Sequence, residues 1–385
     1  MIPYSTQTIE DDDIRAVTSV LHSPYLTCGP KVTEFEEQVA SYVGATYAVA
    51  CNSCTSALHL SMMALGVKKG DLVYVSAVSF VASANCARYL DADVEFMDVN
   101  KDTGNLDLNL LEEQLEKAKK NGRLPKVIVA VHLSGRPVDL RRLKVLKDLY
   151  GFYILEDAAH ALGAIYEEHK IGDCFYSDIT VFSFHPVKII TTGEGGMCMT
   201  NNETFYNSIR CLSSHGIIHD RDYLIDKSMP NYYYEMQQLG FNYRITDLQA
   251  ALGISQMGKL DRFLQKRREF ARELTELLSQ DKNLILPPPD TQDSISSWHL
   301  YQVGIPFDKR DEVYTILRKR GIGVQIHYLP IYRHPYYQSL KHYQPLQGAE
   351  EFFKHTLSMP LYPKMKRLDL QMCAATLLRL IDTER

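Results

Sequence analysis

The feature that most constrains the fold is a repeated exchange of short apolar runs with amphipathic stretches between residues 47 and 200. Lys126–Leu133, KVIVAVHL, is its clearest member. A run this apolar suits a parallel strand covered on both faces, because neither face needs polar residues. Comparable runs predict strands at Tyr47–Cys51, Leu72–Ser76, Ala92–Asp98, Phe152–Leu155 and Met197–Thr200, and ITVFSFH reads as a further buried strand. Between them, helices are predicted at Ala57–Leu65, Ser83–Leu90, Leu108–Lys120, Leu140–Tyr150 and Glu203–Leu212. Alternation over this length predicts an α/β fold with a large, mostly parallel sheet. Ligands in such folds bind beyond the carboxyl ends of the strands.

The flanks follow different patterns. Residues 9–22 open with acids and then place Ile14, Val17, Val20 and Leu21 at helical spacing. Residues 31–43 predict a second helix, stopped at Gly44. Asp220–Tyr243 lacks periodicity and predicts long surface loops, whereas Thr246–Arg272 predicts one long helix. Leu286-Pro287-Pro288-Pro289 is a stiff connection. Beyond it, HLYQVGIPF and Gly323–Tyr328 predict strands, and Asp311–Arg320, 349–358 and 368–381 predict helices. The expected organisation is a large α/β domain over 1–265 and a smaller C-terminal α+β domain over 266–385.

Charge and cysteine usage narrow the function. A net charge of -5 argues against a general nucleic-acid or anionic-membrane binder. No apolar stretch nears the roughly 20 residues of a membrane span, and no secretory pattern opens the chain, so a cytoplasmic location is expected. The eight cysteines are scattered, as suits reduced thiols. Cys51 and Cys54 have C-x-x-C spacing, but nothing completes a zinc set, so no metal is expected.

Three stretches carry candidate chemistry. SFHPVKIITTGEGG holds one lysine, Lys188, in surroundings without charge until Glu194. A lysine just past a buried strand either packs its stem and reaches water, or has a lowered pKa and forms Schiff bases. Glu156 and Asp157 end another strand, ahead of His160. Either acid can hold a buried cationic nitrogen, or both can be solvated, and position alone does not separate them. In NSCTS, the hydroxyls of Ser53, Thr55 and Ser56 cap a helix or, with its free amides, meet a phosphate.

Together with LTCGP, SFVASAN, EDAAHALGA, LGFNYRITDLQAALG and VQIHYLPIY, these stretches resemble fold-type I pyridoxal-phosphate enzymes. More closely, over nearly the whole chain, they resemble the DegT/DnrJ/EryC1/StrS nucleotide-sugar aminotransferases. The resemblance implies pyridoxal 5′-phosphate on Lys188, with Asp157 rather than Glu156 paired to the pyridine nitrogen. It sets His160 and Phe80 beside the ring, and Thr55, Ser56 and Ser183 at the phosphate. Lys188, Asp157 and His160 are the implied catalytic residues. Asn242 is implied to reach the phosphate from a neighbouring subunit, hence a homodimer with shared active sites. The implied donor is L-glutamate and the acceptor a 4-keto-6-deoxy nucleotide sugar.

Within the family, SFHPVKIITTGEGGM, RCLSSHGI and VQIHYLPIYRHPYY look most like the pseudaminic-acid branch. That branch acts on UDP-2-acetamido-2,6-dideoxy-β-L-arabino-hexos-4-ulose. By the same likeness Tyr4, Leu26, Thr27, Cys54, Ser183, Asn242, Gln325, His327 and Tyr328 contact the sugar nucleotide. The alternatives are a perosamine, bacillosamine or 4-amino-arabinose precursor as acceptor, or a non-catalytic regulator on the same fold. Lys188 argues against the branch that carries histidine at this position and removes a sugar hydroxyl.

Overall fold

The computed structural model describes residues 1–306 and 308–382, so Phe307 of HLYQVGIPF and the last three residues lie outside the description. Its strands begin with β1 Tyr47–Cys51, β2 Leu72–Ser76, β3 Asp93–Met97, β4 Val127–Val131 and β5 Tyr153–Asp157. The two-residue strands β6 Ile165–Tyr166 and β7 His169–Lys170 follow, then β8 Ile179–Ser183 and β9 Gly196–Thr200. β1, β9, β8, β5, β4, β2 and β3 form one seven-stranded sheet in that order. β9 runs antiparallel to both β1 and β8, while the remaining pairs are parallel. The expected mostly parallel α/β sheet is therefore present, with one reversed strand.

Helices cover both faces. They are α1 Asp11–Leu21, α2 Pro30–Val43, α3 Cys54–Ala64, α4 Ala82–Arg88, α5 Leu108–Lys120, α6 Leu140–Tyr150 and α7 Glu203–Leu212. Strand residues alternate between faces. Val73, Val129 and Leu155 pack with Leu58 and Met62 of α3, and Ile128 and Ile154 pack with Leu111 of α5 and Leu143 of α6. Each such fully buried aliphatic side chain contributes roughly 1.5–3 kcal/mol.

The structure departs from several sequence expectations. On α1, Ile14 and Leu21 are each 58% exposed, while Asp13 is fully buried. Asp13 turns inward because Lys259 Nζ pairs with it at 2.6 Å and Ser255 and Gln256 donate to it. The long helix expected from Thr246 is two helices, α8 Asp247–Met257 and α9 Leu260–Leu278. The break falls at Gly258-Lys259, where the buried lysine reaches Asp12 and Asp13 of α1. α9 packs Leu260, Phe263 and Leu264 into one apolar cluster and Phe270, Ala271 and Leu274 into another.

After short strands β10 Ile217–Ile218, β11 Glu235–Met236 and β12 Ser294–Ile295, the chain forms β13 Tyr301–Gly304, α10 Arg310–Lys319, α11 Pro335–Leu340 and α12 Gln347–His355. β14 Thr356–Met359 pairs antiparallel with β13, so the helix expected over 349–358 ends three residues early. α13 Arg367–Ile381 closes the described chain. Gly323–Tyr328 joins no ladder and makes only one bridge, Gln325 to Ser358. Gly323 N–H donates to Ile2 O, and Gln302 Nε2 donates to the His327 carbonyl, so single partners distant in sequence replace a neighbouring strand. No helix among the described residues is long and apolar enough to cross a membrane.

Candidate active site

A cavity of about 480 Å³ opens where β5 and β8 end and α3 begins. Lys188, Asp157, His160, Ser183 and Thr55 line it, as do Cys54, Phe80, Tyr4, His327 and Tyr328. Other predicted residues lie outside it within the single chain. Ser56 Oγ donates to Asn52 Oδ1 at 2.6 Å, and Leu26 is 48% exposed. The backbones of Thr27, Asn242 and Gln325 bridge Thr246, Ser214 and Ser358.

The lysine sits in the connection from β8 to β9. Phe184 N–H donates to Gly195 O, Thr192 N–H to Phe184 O, and Ser5 Oγ to Val187 O at 3.0 Å. Lys188 is half-buried, with its open side on the cavity. Burial pushes its pKa down to about 8, against a smaller opposing pull from Cys54 and Asp157. Near neutral pH roughly a tenth of the amine is then unprotonated and nucleophilic. Gly196 has a separate purpose: a Cβ there would lie 2.5 Å from the Ser53 carbonyl. The glycine lets β9 start directly against the turn that opens α3.

Strand alternation separates the two neighbouring acids. Asp157 faces the cavity, accepting from Ser83 Oγ at 2.6 Å and from Ala159 N–H at 3.1 Å. Glu156 points to the other face, where His132 Nε2 donates at 2.6 Å and Thr180 Oγ1 at 2.8 Å. Burial raises the Glu156 pKa, but the His132 bond and charge outweigh it and leave it below the usual carboxylate value. His160 is buried against the cavity, with Nδ1 accepting from Ser134 N–H at 3.2 Å and Nε2 lying 3.3 Å from Tyr328 Oη. Burial, then the nearby Lys188 charge, hold its pKa well below the ordinary histidine value. Burial likewise pushes the Cys54 thiol up, so it is no nucleophile.

At the opposite end, Ser53 caps α3 by accepting from Ser56 N–H at 3.1 Å. The first-turn amides, the Thr55 and Ser183 hydroxyls and the positive end of the helix suit a dianion. An amine, a carboxylate held by two donors and a helix N-terminus in one cavity fit the aldehyde, ring nitrogen and phosphate of pyridoxal phosphate. The sequence assigns no role to Ser79, Ser83 or His185, and it singles out Glu194 without giving it one. Ser83 lies within SFVASAN and bonds both Ser79 Oγ and Asp157, yet a serine in a small-residue run carries no signal of its own. His185 and Glu194 line the cavity from exposed positions on the lysine loop.

A family profile described as the DegT/DnrJ/EryC1/StrS aminotransferase family matches residues 7–378. A Campylobacter jejuni protein, UDP-4-amino-4,6-dideoxy-N-acetyl-beta-L-altrosamine transaminase, is 38% identical over 386 residues, covering 99% of this chain and 98% of its own. Helicobacter pylori PseC, an aminotransferase involved in the biosynthesis of pseudoaminic acid, superposes with a TM-score of 0.89 at 30% identity over 99% of each chain. Streptococcus pneumoniae Spr1654, described as a sugar aminotransferase and solved in its PMP form, gives a TM-score of 0.90 at 27% identity over 100% of both chains. With its cavity chemistry and these full-length likenesses, the chain belongs to the DegT/DnrJ/EryC1/StrS aminotransferase family and is a pyridoxal-phosphate-dependent sugar aminotransferase.

Proposed function

We propose that the protein moves the amino group of L-glutamate to C4 of UDP-2-acetamido-2,6-dideoxy-β-L-arabino-hexos-4-ulose. The product is UDP-4-amino-4,6-dideoxy-N-acetyl-β-L-altrosamine, in pseudaminic acid biosynthesis. The carrying observation is the pairing of Lys188 with Asp157 across one cavity, in a chain 38% identical over its length to a transaminase of that name. The likeness to PseC supports the same acceptor.

Bound pyridoxal phosphate supplies a carbonyl for the amino group and a ring that accepts electrons when the C–H bond breaks. Lys188 would hold the cofactor at rest, and its Nζ would take up and return the proton on the amino-bearing carbon. Asp157, its orientation fixed by Ser83 and the Ala159 amide, would face the ring nitrogen and hold a proton there. Thr55, Ser183 and the free first-turn amides of α3 would hold the phosphate side, with Ser56, expected there too, bracing that turn through Asn52 and Ser53. Phe80 and His160, which line the cavity, would border the ring. Tyr4, Leu26, Thr27, Cys54, Gln325, His327 and Tyr328 serve the sugar nucleotide.

Asn242 completes the site of a second copy in a homodimer, a reading supported by its position outside its own cavity. The exposed Tyr232 and Leu239 nearby suit burial against that copy. The two-domain division at 265/266 is supported by the change of apolar cluster along α9. A cytoplasmic location is supported by the eight free cysteines.

The test is a panel of 4-keto nucleotide sugars incubated with glutamate and scored by product mass. Turnover of the L-arabino UDP sugar is expected. Turnover of a perosamine-type, bacillosamine-type or 4-amino-arabinose-type precursor in its place would overturn the acceptor and leave the family standing.

A further inference from the structure

Ser134 stands out among residues with no assigned role. It has a left-handed backbone, φ 62 and ψ 1, which costs any residue with a side chain. The turn around it is tied down: Leu300 N–H donates to Ser134 O, and Ser297 N–H to Gly135 O. Ser297 Oγ also donates to the His160 carbonyl at 2.6 Å. This conformation aims Ser134 N–H at His160 Nδ1, 3.2 Å away.

A backbone N–H can only donate, so Nδ1 must present its lone pair. The imidazole is then neutral, with its hydrogen on Nε2. Nε2 lies 3.3 Å from Tyr328 Oη and is the donor in that contact. The phenol oxygen therefore accepts from histidine, and its own proton is free to point elsewhere. Tyr328 lines the cavity with its ring between Phe80 and His160, at centroid distances of 6.3 and 6.2 Å. Ser134 also acts through its hydroxyl, which donates to Gln302 Oε1. That bond turns the Gln302 amide so that Nε2 donates to the carbonyl of His327, the residue before Tyr328, at 2.6 Å.

We propose that Ser134 is a positioning residue that sets the polarity of a hydrogen-bond chain. The chain runs from Ser134 N–H to His160 and from His160 Nε2–H to Tyr328. It makes the Tyr328 hydroxyl a donor to an oxygen of the keto-sugar substrate. Only the identity of that acceptor rests on the proposed function; the direction of the chain does not.

Holoenzyme labelled with 15N in the histidine rings tests the direction, with the His160 signals assigned by their loss in His160→Gln. Long-range proton–nitrogen correlations should show a neutral ring protonated at Nε2. A ring protonated at Nδ1, or an imidazolium at neutral pH, overturns the proposal. A second arm follows the two half-reactions separately. Tyr328→Phe should slow the keto-sugar half-reaction at least about tenfold more than the glutamate half-reaction, the scale of one lost donor. Equal losses in both, or none, overturn the donor role. His160→Gln keeps one acceptor and one donor and should retain several-fold more keto-sugar half-reaction than His160→Leu; parity of the two also overturns it. A wild-type enzyme inert toward the L-arabino UDP sugar would overturn the acceptor proposed above, and the nitrogen spectra would still decide the chain.

Discussion

Lys188→Met should destroy transamination and stabilise the cofactor-free protein. The amine has a pKa of about 8 in the folded chain against an ordinary value of 10.5. At about 1.4 kcal/mol per unit, a difference of about 2.5 units is a penalty of about 3 kcal/mol. The unfolded chain binds the proton more tightly, so wild-type stability rises between pH 8 and pH 10.5 and is flat below pH 8. Methionine keeps the apolar stem and removes the cost. Because the lysine is only half-buried and its charge also faces Asp157, about 1–3 kcal/mol of gain is expected at pH 7. For a chain of this size that is a rise of about 1–4 °C in Tm. Thermal melts of cofactor-free wild type and variant from pH 7 to pH 10.5 measure it, with a gap that closes as pH rises. A variant that melts below wild type at pH 7, or a gap that is independent of pH, would refute the reasoning.

Asp157→Asn should cut kcat by at least about 100-fold, because it removes the carboxylate proposed to hold the ring proton; steady-state rates with glutamate check it, and a near-normal rate contradicts the role. Glu156→Gln, one residue earlier on the opposite face, should cost about 1–3 kcal/mol of stability through the His132 pair. It should also lower kcat far less than Asp157→Asn, and the reverse ranking would reassign the two acids. Ser83→Ala removes the 2.6 Å bond to Asp157 and should lower kcat about 5- to 30-fold, the equivalent of about 1–2 kcal/mol. Gly196→Ala forces a methyl to 2.5 Å from the Ser53 carbonyl and should cost about 1–3 kcal/mol, read as a lower Tm and weaker retention of pyridoxal phosphate.

Much of the framework was legible because its causes are local. KVIVAVHL became a fully buried strand since an unbroken apolar run has no polar face to offer water. The capping serine of NSCTS and the glycine that stops α2, Gly44 at φ +93, are likewise set by immediate neighbours. Lys188 and Thr55 stand out in contiguous motifs of the chain, Ser183 enters only through the family resemblance, and all three line the cavity. The expected single helix after Thr246 fails for the opposite reason. Its break at Lys259 is held by Asp12 and Asp13, far away in sequence, and no local pattern announces that pairing. Gly323–Tyr328 has the composition of a strand but finds Ile2 and Gln302 as partners instead of a neighbour of its own kind.

The sequence by itself determined the α/β architecture, since apolar period and caps are properties of neighbouring residues, and its contiguous motifs carried the resemblance that implies the chemistry. Only the tertiary structure decided which face each residue serves. Residue order cannot tell which side of β5 is the cavity, so the opposite surroundings of Asp157 and Glu156 emerge only when the sheet is closed by its helices. The same holds for Ser134, a serine with no motif whose backbone amide meets His160 because two separate loops pack together. Hydrogen-bond direction depends on which groups meet across the fold, and sequence periodicity does not encode such meetings.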